Sequence, residues 1–323
     1  MLERILPGIA RGKLESLAAS AAESADAAVR THSPDVVFGP FMSVPIGYMQ
    51  CSVPIIYASD ATAALICRMY ESFESRGQSW KDTIIALETA TLARADRTAV
   101  ATEATRRSAI DDHGADPNRV SVVPLGANIL PDEREEVVIP ATAPTRDDLR
   151  ILLTAADPER KRLTLCLDVV RDLRARGWNT TLHFIGAEHP AVSEPEVEWA
   201  GRLRLGDEAD LQVHRRLLRD CHLSLMPSRA EMFGIAPIES AVYGRPSVVS
   251  DSGGLPTVVL DGETGRVVPV DSPVEVWTDA ILDLVESPER YAQVSTRSHR
   301  RYEEVLNWTA WGRTIRGLIE EVV

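Results

Sequence analysis

From His222 to Ser250 the chain passes from one apolar run, through a short loop and a helical stretch, directly into a second apolar run. His222-Leu-Ser-Leu-Met226 and Pro246-Ser-Val-Val-Ser250 have the length and continuous apolarity of strands buried on both faces. A strand, a helix and a strand in this order predict a parallel pair, since parallel strands need a crossover and a helix is the usual one. Gly234 breaks the loop, Pro237 suits a first helical turn, and Gly244 suits the position just past a helix end. Ile235, Ile238 and Val242 share one stripe of that helix, the spacing of a face packed on a sheet.

Glu239 lies only about 40° round the helix from Ile235, at about 100° per residue. A carboxylate on the flank of a buried stripe is costly unless something donates hydrogen bonds to it. A second carboxylate, Glu231, stands in the loop before the helix. Between the two, the helix N-terminus offers free backbone amides and a partial positive charge, a natural seat for a phosphate. Acceptors on either side of an anion seat suit a ligand with both hydroxyls and a diphosphate, such as a nucleotide sugar. The competing reading is a Glu239 that only caps or forms a salt bridge.

Similar strand–helix alternation recurs along the chain. Before the midpoint, strands are expected at Asp35–Pro40, Pro54–Tyr57, Arg97–Ala101 and Val120–Pro124, with helices at Gly12–Thr31, up to Arg94, and from Thr102. Asp60 is a candidate cap for the helix that follows it. From Pro131 to Asp148 the chain is rich in Pro, Thr, Ala and acids without periodicity, which marks a boundary. Strands at Arg150–Thr154, Thr181–Ile185 and Val197–Gly201 follow, with helices at Leu163–Arg176 and Gln212–Arg219. Helices near Val274–Glu286, Pro288–Glu304 and Trp308–Val323 close the chain. The fold class expected is α/β with two Rossmann-like domains. They divide as residues 1–133, a linker at 134–148, a second domain at 149–305, and a last helix at 306–323 bracing the first domain.

Length and charge narrow the function. A chain of 323 residues has room for about two domains. Its formal net charge of −13 and lack of a basic block argue against nucleic acid or an electrostatically held membrane as partner. Cys51, Cys67, Cys166 and Cys221 have no paired or metal-type spacing and read as reduced thiols of a cytoplasmic protein. No apolar run reaches the roughly 18 residues of a membrane span, leaving peripheral contact as the membrane option. The histidines form no metal motif, so neither metal nor cofactor is expected.

Two more loops carry chemistry. Ala156-Asp-Pro-Glu-Arg160-Lys161-Arg162 follows a strand, and loops at the carboxyl ends of parallel strands are where such sheets bind ligands. Three consecutive cations there suit a diphosphate or a solvated patch. Ser250-Asp-Ser-Gly253-Gly254-Leu255-Pro256-Thr257 opens another helix, and its glycines allow backbone amides to approach a ligand or simply form a tight turn. Asp261-Gly-Glu-Thr-Gly265 reads as a structural turn.

Taken in order, these segments resemble the donor domain of the GT-B retaining glycosyltransferases of family four, the glycosyl transferases group 1. The resemblance runs from the Arg160-Lys161 loop through Phe-Ile-Gly186, Trp-Ala-Gly201, Pro-Ser-Arg-x-Glu231-x-Phe-Gly234 with Glu239, Gly253-Gly254-Leu255-Pro, and Asp-Gly-Glu-Thr-Gly265. It covers about residues 149–305. Tyr57-Ala-Ser-Asp60-Ala-Thr, Glu88 and Val-Val-Pro-Leu-Gly-Ala-Asn128 resemble the family's first domain more loosely.

That resemblance implies a metal-independent, retaining, hexosyltransferase-like enzyme of carbohydrate biosynthesis, with a nucleotide-diphosphate sugar as co-substrate and a saccharide or other hydroxyl acceptor. It implies that Glu239 binds the ribose hydroxyls and Glu231 a hydroxyl of the transferred sugar. Lys161 and Arg160 would stabilise the leaving diphosphate together with the amides of Phe233, Gly234 and Ile235. Gly253, Gly254 and Leu255 would line the donor, and Asp60 would face the acceptor.

Several positions depart from the family. Thr154 and Ala155 stand where a Gly-Arg is usual, Arg162 where a Gly follows the lysine, Thr257 where a Glu is usual, and Ser59 where a His often precedes Asp60. Only a short segment precedes Asp35, without the family's opening strand and glycine-rich loop, so an incomplete first sheet is expected. The alternative function is a degenerate, non-catalytic GT-B protein that binds a nucleotide or a partner.

Overall fold

A computed structural model describes residues 11–41, 43–132 and 136–323 of the chain. Contacts divide it into two units, one running up to Val123 and taking back Gly312–Val323, the other spanning Pro124–Trp311.

The first unit holds four parallel strands among its described residues: β1 Val37–Pro40, β2 Ile55–Ser59, β3 Arg97–Val100 and β4 Val120–Val122, in that spatial order. Ile55, Ile56 and Tyr57 of β2 are buried, as an inner strand of a parallel sheet requires. Helices Arg11–His32, Ala63–Met69, Gln78–Arg94 and Glu103–Asp111 connect and flank the strands. The last helix, Trp308–Glu320, runs into this unit, and beyond its end Glu321 pairs with Arg97 Nε at 2.9 Å.

Asp60 does not cap the helix after β2. Thr62, extended at φ −95° and ψ 156°, occupies that position and its hydroxyl accepts from the Leu65 amide, while the Asp60 carbonyl accepts from Thr105 Oγ1 at 2.8 Å. The helix begins two residues later than an Asp60 cap needs, and Glu88 takes the Ala63 amide. Glu88 is 3% exposed and also accepts from Tyr57 Oη at 2.9 Å. Burial pushes its carboxyl from 4.5 up to about 7.

This shift has a signed consequence. Between the two values the folded chain holds a proton the unfolded chain has released, so Glu88 lowers stability as pH rises from about 4.5 to about 7. His113, whose Nε2 lies 3.9 Å from Glu88 Oε2, is shifted down by burial and contributes with the opposite sign. The wild type should therefore lose more stability between pH 5 and pH 8 than Glu88→Gln, which keeps an acceptor and has no charge to desolvate. Urea midpoints at the two pH values measure the difference, and equal losses would refute the assignment.

The second unit is a six-stranded parallel sheet. Its strands are β5 Leu149–Ala155, β6 Thr180–Gly186, β7 Val197–Trp199, β8 Leu223–Met226, β9 Ser247–Ser250 and β10 Gly265–Val268. Their spatial order is β10-β9-β8-β5-β6-β7. The chain builds outward from β5 to β7, then returns to the other side of β5 to lay down β8. The loops after β5 and β8 thus leave neighbouring strands in opposite directions, the topological switch point where open α/β sheets bind ligands. Helices Leu163–Ala175, Glu208–Asp220, Ile235–Val242, Val274–Val285 and Pro288–Glu304 cover the faces. The helix expected at Gln212–Arg219 starts earlier because Asp207 caps it, accepting from the amides of Ala209 and Asp210.

Candidate functional site

Three loops meet at the carboxyl ends of β5, β8 and β9. The Arg229 amide donates to the Arg160 carbonyl at 3.0 Å, and Arg160 Nη1 donates to the Ala230 carbonyl. Ser250 Oγ donates to the Ser228 carbonyl at 2.6 Å, Ser252 Oγ to that of Arg229 at 2.9 Å, and the Gly254 amide to that of Glu231 at 3.0 Å. The loop after β8 is thus held on both sides by its neighbours.

Within this frame Lys161 Nζ donates to Glu231 Oε2, and Arg160 Nη1 stands 3.5 Å from the same oxygen. Lys161 is 8% exposed, with Met226 Sδ 3.1 Å from its ammonium. Burial lowers its pKa, against the raising influence of Glu231. Arg162 sits at φ +58°, the left-handed region, which accounts for the glycine usual at this position. Its Nη1 donates to the Val270 carbonyl, so its head is held within the fold.

Gly234, at φ +106°, turns the chain into helix Ile235–Val242, and a Cβ there would meet Leu255 Cδ2 at 2.7 Å. Phe233 is buried, while Ile235 is only half-buried and the stripe narrows to Ile238 and Val242. Glu239 is 4% exposed and accepts from the backbone amides of Asn128 and Ile129. Burial raises its carboxyl to about 7. A carboxylate offers about four lone-pair sites, so two amides leave it capacity for further donors.

The sequence points to neither amide. Asn128 and Ile129 follow β4 in the chain yet belong to the second unit. Of the glycine turn, Gly253 is left-handed at φ +56°, but the amides of Gly254 and Leu255 already donate to the carbonyls of Glu231 and Ser252. The turn thus braces the β8 loop. Asp261 accepts from the Val267 amide and Arg266, as a structural turn should.

A cavity of about 450 Å³ lies at the opposite, amino ends of β5, β8 and β9, near Asp148, Arg150, His222 and Arg245. Arg150 pairs there with Asp148, and Arg219 with Asp220, so these charges are met inside the protein. Among the described residues no group of three or more His, Cys, Asp or Glu side chains could hold a metal ion, and no helix is long and apolar enough to cross a membrane.

Two parallel sheets, the second carrying a cationic, carboxylate-lined loop cluster at its switch point, define a GT-B-type α/β protein. Solved structures share the fold. Sucrose-phosphate synthase from Thermosynechococcus elongatus matches 97% of this chain and 80% of its own, with a TM-score of 0.69 at 19% identity. Anabaena HepE in complex with UDP and glucose matches 94% of this chain and 81% of its own, with a TM-score of 0.64 at 15% identity.

Residues 149–287 match the family model described as Glycosyl transferases group 1. That stretch lies within the second unit. A D-inositol 3-phosphate glycosyltransferase of Rhodococcus jostii is 28% identical over 243 residues, 71% of this chain and 52% of that protein. The one from Mycobacterium bovis is 30% identical over 235 residues, 66% and 46% of the two chains. The chain spans about half the length of these curated relatives.

Proposed function

We propose that the protein moves a sugar from a nucleoside-diphosphate sugar to an acceptor hydroxyl, with retention at the anomeric carbon and without a metal. The observation that carries this reading is the meeting of Lys161, Arg160 and Glu231 at the switch point, beside the helix that bears Glu239. In the reaction proposed, the acceptor oxygen bonds to the anomeric carbon as the bond to the diphosphate breaks, and the leaving phosphate takes the acceptor's proton. Lys161, Arg160 and the amides of Phe233, Gly234 and Ile235 stabilise the charge that develops on the diphosphate. Glu239 accepts from the ribose hydroxyls and Glu231 from a sugar hydroxyl. Asp60, in the first unit, is assigned to the acceptor side.

A hydrolase would need one carboxyl group to protonate the leaving oxygen and another to attack or activate water. Here Glu231 is bound to Lys161 and Glu239 to two backbone amides, which favours transfer. The structure neighbour solved with UDP-glucose makes that donor the first to try. A second reading, a nucleotide-binding protein without turnover, draws support from the deep burial of Glu239 on backbone amides.

Calorimetric titration with UDP, GDP and ADP tests the donor site. One nucleotide should bind the wild type in roughly the micromolar range, about −8 kcal/mol. Binding should fail in Glu239→Ala and weaken in Glu239→Gln, with circular dichroism confirming that both variants fold. No binding of any of the three by folded wild type would refute the proposal. Binding without transfer to any acceptor would select the second reading.

A further inference from the structure

We propose that Glu231 makes the site prefer an intact sugar donor over the spent nucleoside diphosphate, by competing with phosphate for Lys161; this rests on the donor site argued above. In the ligand-free chain the Lys161 ammonium is neutralised by Glu231 Oε2, with Arg160 Nη1 3.5 Å from the same oxygen. Both side chains are mostly buried, 11% and 14% exposed, so their attraction is weakly screened by water. Met226 Sδ is the other neighbour of the ammonium and can offset little of its charge. Lys161 therefore cannot turn to a diphosphate without loosening its hold on Glu231.

What Glu231 gains in exchange depends on the ligand. A bare nucleoside diphosphate brings acceptor oxygens and more negative charge to a carboxylate that has just lost its lysine. Like charges brought together in a desolvated site repel strongly. An intact donor carries sugar hydroxyls beyond the second phosphate, and these can donate to the released carboxylate. The exchange is thus complete with the donor and half-complete with the product. The same pair that resists empty diphosphate also promotes its departure after transfer.

Neither loop is free to relieve the competition by moving away. The amide of Gly254 holds the Glu231 carbonyl, and the Arg229 amide holds that of Arg160. Those bonds fix the backbone on both sides of the pair, leaving side-chain rotation as the route of exchange.

The test is calorimetry on the full chain, without acceptor, using UDP against UDP-glucose and the guanosine and adenosine counterparts. Glu231→Gln, which keeps the shape and removes the charge, is expected to bind the diphosphate about tenfold more tightly than wild type, a change of about 1.4 kcal/mol. The sugar donor should gain much less, so the preference for it narrows. Glu231→Asp keeps the charge and should keep a preference for the intact donor. A Glu231→Gln chain whose preference equals that of wild type, or which binds diphosphate more weakly, overturns this inference while leaving the donor site standing. Wild type that binds no nucleotide at all brings down the donor site and this inference together.

Discussion

A Lys161→Met chain is expected to turn over about 10²–10³-fold more slowly than wild type, the loss typical when one donor to a developing oxyanion is removed. The side chain enters a buried environment next to Met226, so methionine fills the space without a desolvated charge. Folding should survive for that reason. The variant leaves Glu231 with Arg160 as its remaining cationic neighbour, at 3.5 Å. If the lysine acts on the leaving diphosphate, the defect falls mainly on kcat. A purely structural lysine would instead shift the urea midpoint and leave kcat nearly untouched. Turnover and urea unfolding of the same preparation separate the two.

Gly186→Ala should be among the most damaging small substitutions in the second unit. A Cβ at Gly186 would lie 2.0 Å from the carbonyl oxygen of Ala155 and 2.7 Å from the ring of Phe184. Ala155 and Gly186 are register partners at the carboxyl ends of β5 and β6, so the obstruction is backbone and cannot swing aside. The expected cost is about 3 kcal/mol or more, the range in which overpacking forces backbone shifts. For a unit of this size that lowers the melting temperature by about 10 °C. Gly206→Ala is the control, because nothing lies within 4 Å of its Cβ and the change should stay within about 0.5 kcal/mol. The displaced β5 end also leads into the Arg160-Lys161 loop, so donor affinity should fall with stability.

Much of the second unit was legible because its signals are local. Gly234 and Gly244 bracket the helix they were expected to bracket, with both at positive φ. Each apolar run expected as a strand from β5 to β9 became one near its expected place, since strand length and flanking turn residues lie within a few positions of one another, whereas β10, just past the Asp261–Gly265 turn, was not expected. The errors arose where a cap or end depended on a distant partner. Asp60 has a plausible capping side chain, but Glu88, brought in by another helix, takes the Ala63 amide. Gly254, expected either to approach a ligand or to form a tight turn, gives its amide to the carbonyl of Glu231, a partner that local spacing did not show.

The sequence alone determined the alternation of elements, the parallel pairing it implies, and the chemistry available in each loop. Periodicity, proline, glycine and charge act over one or two turns, and those are written in neighbouring residues. Only the tertiary structure decided which loops meet. Strand order placed β8 beside β5, and so joined Lys161 to Glu231 across a separation of 70 residues. It also closed the amides of Asn128 and Ile129 over Glu239. Glu239 was visible as a costly group in need of donors and Glu231 as a second carboxylate in the loop before it, but the donors to both come from far along the chain, where sheet topology rather than sequence spacing sets distance.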